Sequence, residues 1–149
     1  MTADGGSRQP LRILLVEDEP AHAEMVRRSL EDAQVRHALT VVADGEEALA
    51  VLARMAVGAG EPLPDLVLLD LRLPRVDGLE VLSQIKADEA LRHLPVVILT
   101  SSEADADVAG SYARHIAGYL VKPIDIGKLG GILQDLGYHW LAGNSDPSA

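Results

Sequence analysis

The sequence predicts an α/β protein, a doubly wound five-stranded parallel sheet covered by helices on both sides. Three observations carry that expectation. Short runs of Leu, Ile and Val recur five times, with turn residues between them. Between the runs, apolar residues return at helical spacing, so strands and helices alternate as in βαβ units. The central runs are apolar at every position, as strands buried on both faces require. Crossovers in such a sheet are right-handed.

The elements follow in order. Ile13–Val16 is the first strand, and Pro20 to Ala33 reads as a helix with Ala23, Val26, Leu30 and Ala33 on one stripe. Leu39–Val42 is a short second strand. Asp44-Gly45 makes a turn, and Ala48, Leu52 and Met55 mark the second helix. The stretch VGAGEPLP, Val57 to Pro64, is a loop by its Gly and Pro content. Leu66–Leu69 is the third strand; Leu79, Leu82 and Ile85 carry a helix after Asp77-Gly78. Val96–Leu99 is the fourth strand, followed by a helix from about Ala104 to His115 that Gly110 weakens. Tyr119–Val121 is the fifth strand, and Ile126, Leu129, Leu133 and Leu136 mark the last helix. Gly127, Gly130 and Gly131 crowd that helix, so either it starts late or a close backbone contact requires small residues. The expected organisation is a flexible segment over 1–10, one domain over 11–137 and a C-terminal extension over 138–149.

Composition narrows the function classes. With 13 basic and 23 acidic residues the formal net charge is -10, which argues against binding nucleic-acid phosphates or an anionic membrane surface. There is no Cys, hence no disulfide framework and no thiolate chemistry. No apolar run approaches a membrane span, and the first residues, MTADGGSRQP, lack a signal-peptide pattern. The expected compartment is the cytoplasm.

In open α/β sheets ligands bind beyond the carboxyl ends of the strands, near the topological switch point. The first strand delivers Glu17, Asp18 and Glu19 there, the third Asp70, the fourth Thr100 and the fifth Lys122. If those strands are neighbours, an acid cluster, a hydroxyl and an ammonium share one crevice. Carboxylates held close together resist simultaneous ionisation, and a divalent cation removes that conflict. All-oxygen ligands favour a hard ion, Mg²⁺ or Mn²⁺. An Asp carboxylate is also a nucleophile toward phosphorus, with the cation and Lys122 neutralising the developing charge. The bland alternative for the first acids is helix capping ahead of Pro20. Both hold if Glu19 caps while Asp18 binds metal. The five His residues, among them His22, show no metal-ligand spacing and read as surface or structural.

The strings LLVEDE, LVLLDLRLPRVDG, VVILTSS and GYLVKP resemble the four signatures of the response-regulator receiver domain of two-component signalling, the CheY-like superfamily. They occur in order and at the right spacing from about Leu11 to Leu136. The resemblance implies a flavodoxin/CheY-like (βα)5 fold with strand order 2-1-3-4-5. It implies Asp70 as phosphoacceptor. Asp18 and Asp70 then bind Mg²⁺ directly, Glu17 acts through water, and the Arg72 carbonyl is a further ligand. Thr100 and Lys122 contact the phosphoryl group, and Thr100 with Tyr119 forms the switch. The Lys122–Pro123 bond is expected to be cis. The reset rate is tuned in relatives by the residues at Arg72 and Ser102, and Arg72 is expected to slow it by obstructing water.

The long loop before the third strand, LDLRLP and TSS narrow the resemblance to stand-alone regulators that partner phytochrome-type histidine kinases. The expected function is therefore a phosphoacceptor signalling protein rather than an enzyme. Its partner is a sensor histidine kinase of the bacteriophytochrome type, and its output is a protein contact. A homodimer through the fourth helix, fifth strand and fifth helix is a further expectation, with Tyr138 and Trp140 as its anchors unless they pack on their own domain. Three rivals remain. A flavin carrier needs a hydroxyl- and Gly-rich loop where the first acids stand. A phosphate-ester hydrolase needs an acid where Arg72 stands. A non-phosphorylated protein-binding module with the same fold has no use for an intact acceptor, acids and Lys.

Overall fold

The computed structural model describes residues 10–58 and 61–137. Tyr138 and Trp140, and with them the C-terminal extension, lie outside the described residues. The order of elements is β1 (Leu11–Val16), α1 (Pro20–Asp32), β2 (His37–Val42), α2 (Gly45–Ala56), β3 (Leu66–Asp70), α3 (Gly78–Ala87), β4 (Val96–Thr100), α4 (Glu103–Gly110), β5 (Gly118–Val121) and α5 (Ile126–Asp135). The five strands form one parallel sheet in the order β2-β1-β3-β4-β5. No helix among the described residues is long and apolar enough to cross a membrane.

The period of two along each strand divides the core. Leu14, Val16, Val67, Leu69, Val96 and Ile98 face α2, α3 and α4, where Leu52, Val81, Ile85 and Ala109 meet them. Ile13, Leu15, Leu66, Leu68, Val97 and Leu99 face α1 and α5, where Val26, Leu30, Leu129 and Leu133 meet them. Every residue of β3 and β4 is buried, which accounts for their uninterrupted apolar runs. β2 and β5 are the edge strands, and β2 is only half-buried over most of its length.

Two expectations change. The helix after β4 stops at Gly110, and a separate 3₁₀ turn covers Ala113–His115. Gly110 is where the helical run gives way, as its poor propensity favours. α5 begins at Ile126, ahead of its glycines, so a late start is not their explanation. Gly130 is buried, but a methyl added at Gly131 would meet nothing within 4 Å.

One glycine builds the site. A Cβ on Gly78 would lie 2.3 Å from the Asp70 carbonyl oxygen, so only glycine lets α3 begin against the end of β3. Its N–H donates to the Leu71 carbonyl (3.1 Å), and Asp77 caps the helix through the Leu79 N–H (2.8 Å). The loop between carries Arg75 in the left-handed region (φ 66°), paired with Glu46 at the start of α2 (2.8 Å). Urea unfolding is expected to show Gly131→Ala stabilising the chain by up to about 1 kcal/mol. Gly78→Ala is expected to destabilise it by about 1–3 kcal/mol.

Candidate functional site

The strand order places the switch point between β1 and β3 and sets four side chains at the carboxyl end of the sheet. Glu17 follows β1 directly, its N–H held by the Val42 carbonyl of β2 (3.0 Å). Asp70 ends β3 and Thr100 ends β4. Lys122 follows β5, its N–H donating to the Thr100 carbonyl (2.8 Å), and the next peptide bond, Lys122–Pro123, is cis.

Glu17 and Asp70 are buried, at 2% and 5% exposure, whereas Asp18 is exposed. Carboxylate oxygens of Glu17, Asp18 and Asp70 all lie within 4.8 Å of one another. Lys122 Nζ donates to Glu17 Oε1 (2.5 Å) and Asp70 Oδ2 (3.1 Å). Its third neighbour is His22 Nδ1 at 3.1 Å. An ammonium has no acceptor, so Nδ1 accepts and the ring is the tautomer protonated at Nε2. The remaining carboxylate oxygens take backbone donors: Glu17 Oε2 from the Glu19 N–H (3.2 Å), Asp70 Oδ1 from the Arg72 N–H (3.2 Å).

Burial pushes the Glu17 carboxyl above its ordinary value; the Lys122 hydrogen bond opposes the shift and the Asp70 charge adds to it. For Lys122 burial disfavours the charge, but the hydrogen bond to Glu17 and the pull of Asp70 outweigh it, so its pKa is raised. The ammonium thus does part of what a cation would do between two buried acids. The donor set is all oxygen, two of its three acids are buried, and the third opens to solvent, a combination that fits a hard divalent ion.

The other sequence-derived residues fall around this cluster. The Thr100 hydroxyl is fully buried and has no hydrogen-bond partner among the described residues, an uncommon state for a buried donor. Tyr119 is not in the cluster: it is half-buried near the α2–α4 face, with Lys128 Nζ 5.4 Å from its ring centroid. The Arg72 guanidinium turns away onto Asp105. Glu19 occupies the cap position of α1, but its side chain caps nothing; the oxygen near that helix start is Glu17 Oε2. Ser102 caps α4 through the Asp105 N–H (3.1 Å). His22 is the functional-site residue that sequence reasoning passed over. Its position in the first turn of α1, four residues past Asp18, was the available signal.

A five-stranded doubly wound sheet with an acid cluster, a hydroxyl and a lysine at its switch point is the frame of a receiver domain, and comparison with known proteins agrees. The chain belongs to the response regulator receiver domain family, whose profile matches residues 13–134. It is 44% identical over 141 residues to the Probable methanogenesis regulatory protein FilR2 of Methanothrix harundinacea, covering 95% of this chain and 90% of that one. It is 38% identical over 143 residues to response regulator Rcp1 of Synechocystis, covering 96% and 97%. The Mn²⁺-bound crystal structure of Rcp1 superposes with a TM-score of 0.67 at 39% identity, over 89% of this chain and 96% of that one. The bacteriophytochrome response regulator AtBRR superposes with a TM-score of 0.78 at 41% identity, over 89% and 96%.

A divalent cation that binds only the folded chain is expected to add about 2.7 kcal/mol of stability at a hundredfold excess over its Kd. Asp18→Asn abolishes the gain and changes cation-free stability by no more than about 0.5 kcal/mol, as for other exposed positions. The ion needs Glu17 ionised, so the gain shrinks on acidification at a pH above the ordinary 4.5 of a glutamate. Calorimetry with MgCl2 or MnCl2 across that pH range reads all three.

Proposed function

We propose that this chain is a response regulator that accepts a phosphoryl group on Asp70 from a sensor histidine kinase and signals through a change of surface. The observation that carries the reading is the buried Asp70 carboxylate sharing an ammonium with Glu17, beside a buried Thr100 hydroxyl that has no partner. In the transfer, an Asp70 oxygen attacks the phosphorus of a phosphohistidine. The new O–P bond forms as the P–N bond breaks, and the imidazole leaves with the electron pair. Asp18 and Asp70, with Glu17 and the Arg72 carbonyl beside them, would hold a Mg²⁺ ion, which would supply charge neutralisation for the transfer.

Lys122 Nζ already points at Asp70 and donates to a phosphoryl oxygen once there. The Thr100 hydroxyl finds its missing acceptor in the same group. Its movement drags Ser101 and Ser102, and with them the start of α4, and Tyr119 follows on the neighbouring strand. Similarity to the bacteriophytochrome response regulator AtBRR supports a kinase of the bacteriophytochrome type as the donor.

A groove beside the cluster supports this reading. Its volume is about 270 Å³, with Met25, Val26, Pro123 and Ile124 as its apolar wall and His22 and Lys122 on its polar side. Met25 is 45% exposed on α1. An apolar face of a partner helix seated there brings a histidine to Asp70.

Incubation with acetyl phosphate and Mg²⁺ is expected to add one phosphoryl group by intact mass, and none for Asp70→Asn or without the ion. No adduct on a folded wild-type chain returns the acids to helix capping and leaves a binding module. Met25→Glu is expected to slow transfer from a phosphorylated bacteriophytochrome kinase by about tenfold. Labelling by acetyl phosphate stays unchanged in that variant, because the small donor does not use the groove.

A further inference from the structure

We propose that His22 is a positioning residue for Lys122: its Nδ1 takes one of the three ammonium protons and so turns the other two toward Glu17 and Asp70. The inference rests on the reading of Asp70 as acceptor.

The contact is built by α1. Pro20 opens that helix, and the His22 N–H donates to the Glu19 carbonyl (3.0 Å), which fixes the base of the side chain. Ala23 and Val26, further along the helix, are buried against the α5 side of the sheet. His22 Nδ1 lies 3.1 Å from Lys122 Nζ. It lies 3.7 Å from Glu17 Oε2, too far for a hydrogen bond, so the partner of this nitrogen is the ammonium. Lys122 thus meets acceptors from three separate elements: Glu17 after β1, Asp70 at the end of β3 and His22 in α1.

Three acceptors around a tetrahedral nitrogen stop its rotation. With Glu17 and Asp70 alone, the third N–H would turn to solvent along the groove that His22 lines. A water there is mobile, and the ammonium would swing with it. The kind of acceptor matters as much as its place. An apolar side chain leaves a buried donor unpaired. A third carboxylate competes with Asp70 for the charge. A neutral imidazole holds one proton and leaves the charge to the two acids.

The placement of that charge acts on the transfer. With acetyl phosphate as donor, an Asp70 oxygen attacks phosphorus and a new O–P bond forms. The P–O bond to acetate breaks, and acetate leaves with the electron pair. Negative charge gathers on the phosphoryl oxygens beside Asp70 as this happens. A donor already aimed at Asp70 Oδ2 meets that charge without rearranging. His22 acts through Lys122 rather than on the phosphoryl group.

The test compares wild type, His22→Leu and His22→Asn, whose side-chain oxygen can stand where Nδ1 does. Labelling by acetyl phosphate at saturating Mg²⁺ is followed by intact mass across donor concentrations. His22→Leu is expected to lower the maximal rate constant about three- to tenfold, the worth of one hydrogen bond, with the donor concentration at half-maximal rate unchanged. His22→Asn is expected to stay within about twofold of the wild type. The Lys122 ammonium is expected to give a resolved ¹H–¹⁵N signal in the wild type and His22→Asn, and to lose it to exchange with water in His22→Leu. An unchanged rate constant in His22→Leu overturns the inference, and so does an ammonium signal that survives there. His22→Asn as slow as His22→Leu overturns it too, because the loss then belongs to the ring and not to its acceptor nitrogen. His22→Ala replaces the leucine variant if that one does not fold. Absence of any adduct on the wild type instead removes the acceptor reading, while the ammonium signal still decides whether His22 holds Lys122.

Discussion

A single ammonium lies between two buried carboxylates, and the carboxyl end of the sheet is organised around it. Glu17 and Asp70 are nearly closed to water, and each carries a charge that an apolar core cannot hold unpaired. Lys122 reaches both, although its strand is two places away from β3 in the sheet. Strands lie about 4.8 Å apart, so its stem must cross the end of β4. Few side chains are long enough, and of those a lysine offers three donors on one atom. Glu17, Asp70 and His22 take all three. Breaking a buried pair by removing one partner costs about 3–5 kcal/mol, so the arrangement constrains the fold as firmly as the core does. Such a pair is weak evidence of stability for its own sake, and its persistence at a ligand-binding position is better explained by chemistry.

Much of this was legible in the amino-acid order. β3 and β4 are apolar up to their last residue because both faces are covered, and such a run is hard to mistake for a helix when a Pro stands just ahead of it and a polar residue ends it. Asp70, Thr100 and Lys122 were legible because each interrupts or follows such a run at the same relative place. The missed features share another property: they depend on where a side chain turns rather than where its residue sits. His22 reads as a surface residue of α1 until the helix is laid against β1 and its ring meets Lys122. Arg72 and Asp105 are 33 residues apart, and no local pattern pairs them. Glu19 had the ideal position for a cap, yet its side chain caps nothing, and its own N–H is held by Glu17, folded back from the strand end.

The loop between β3 and α3 shows how rigidly Asp70 is held. Gly78 packs on the Asp70 carbonyl, Arg75 adopts a left-handed turn, and Arg75 and Arg72 are each tied to an acid on another element. A loop fixed at so many points presents the same carboxylate geometry each time. Reaction at a preorganised group avoids the cost of assembling it. The segment after β4 is different in kind. It holds a buried hydroxyl without a partner, and a short helix of small and acidic residues follows. Stability is uneven across the site, with the rigid wall beside Asp70 and the looser one beside the Thr100 hydroxyl.

The division of the core has a consequence for how such a protein diversifies. Among the described residues, the α1 and α5 side and the α2, α3 and α4 side form two separate buried clusters on opposite faces of the sheet. The sheet is therefore a partition: the groove beside Met25 belongs to one compartment, and the Arg72–Asp105 ion pair to the other. Substitutions that refit one compartment to a new partner leave the packing of the other untouched. A lineage can exchange what it listens to without rewriting what it reports, provided the four side chains at the strand ends stay in register.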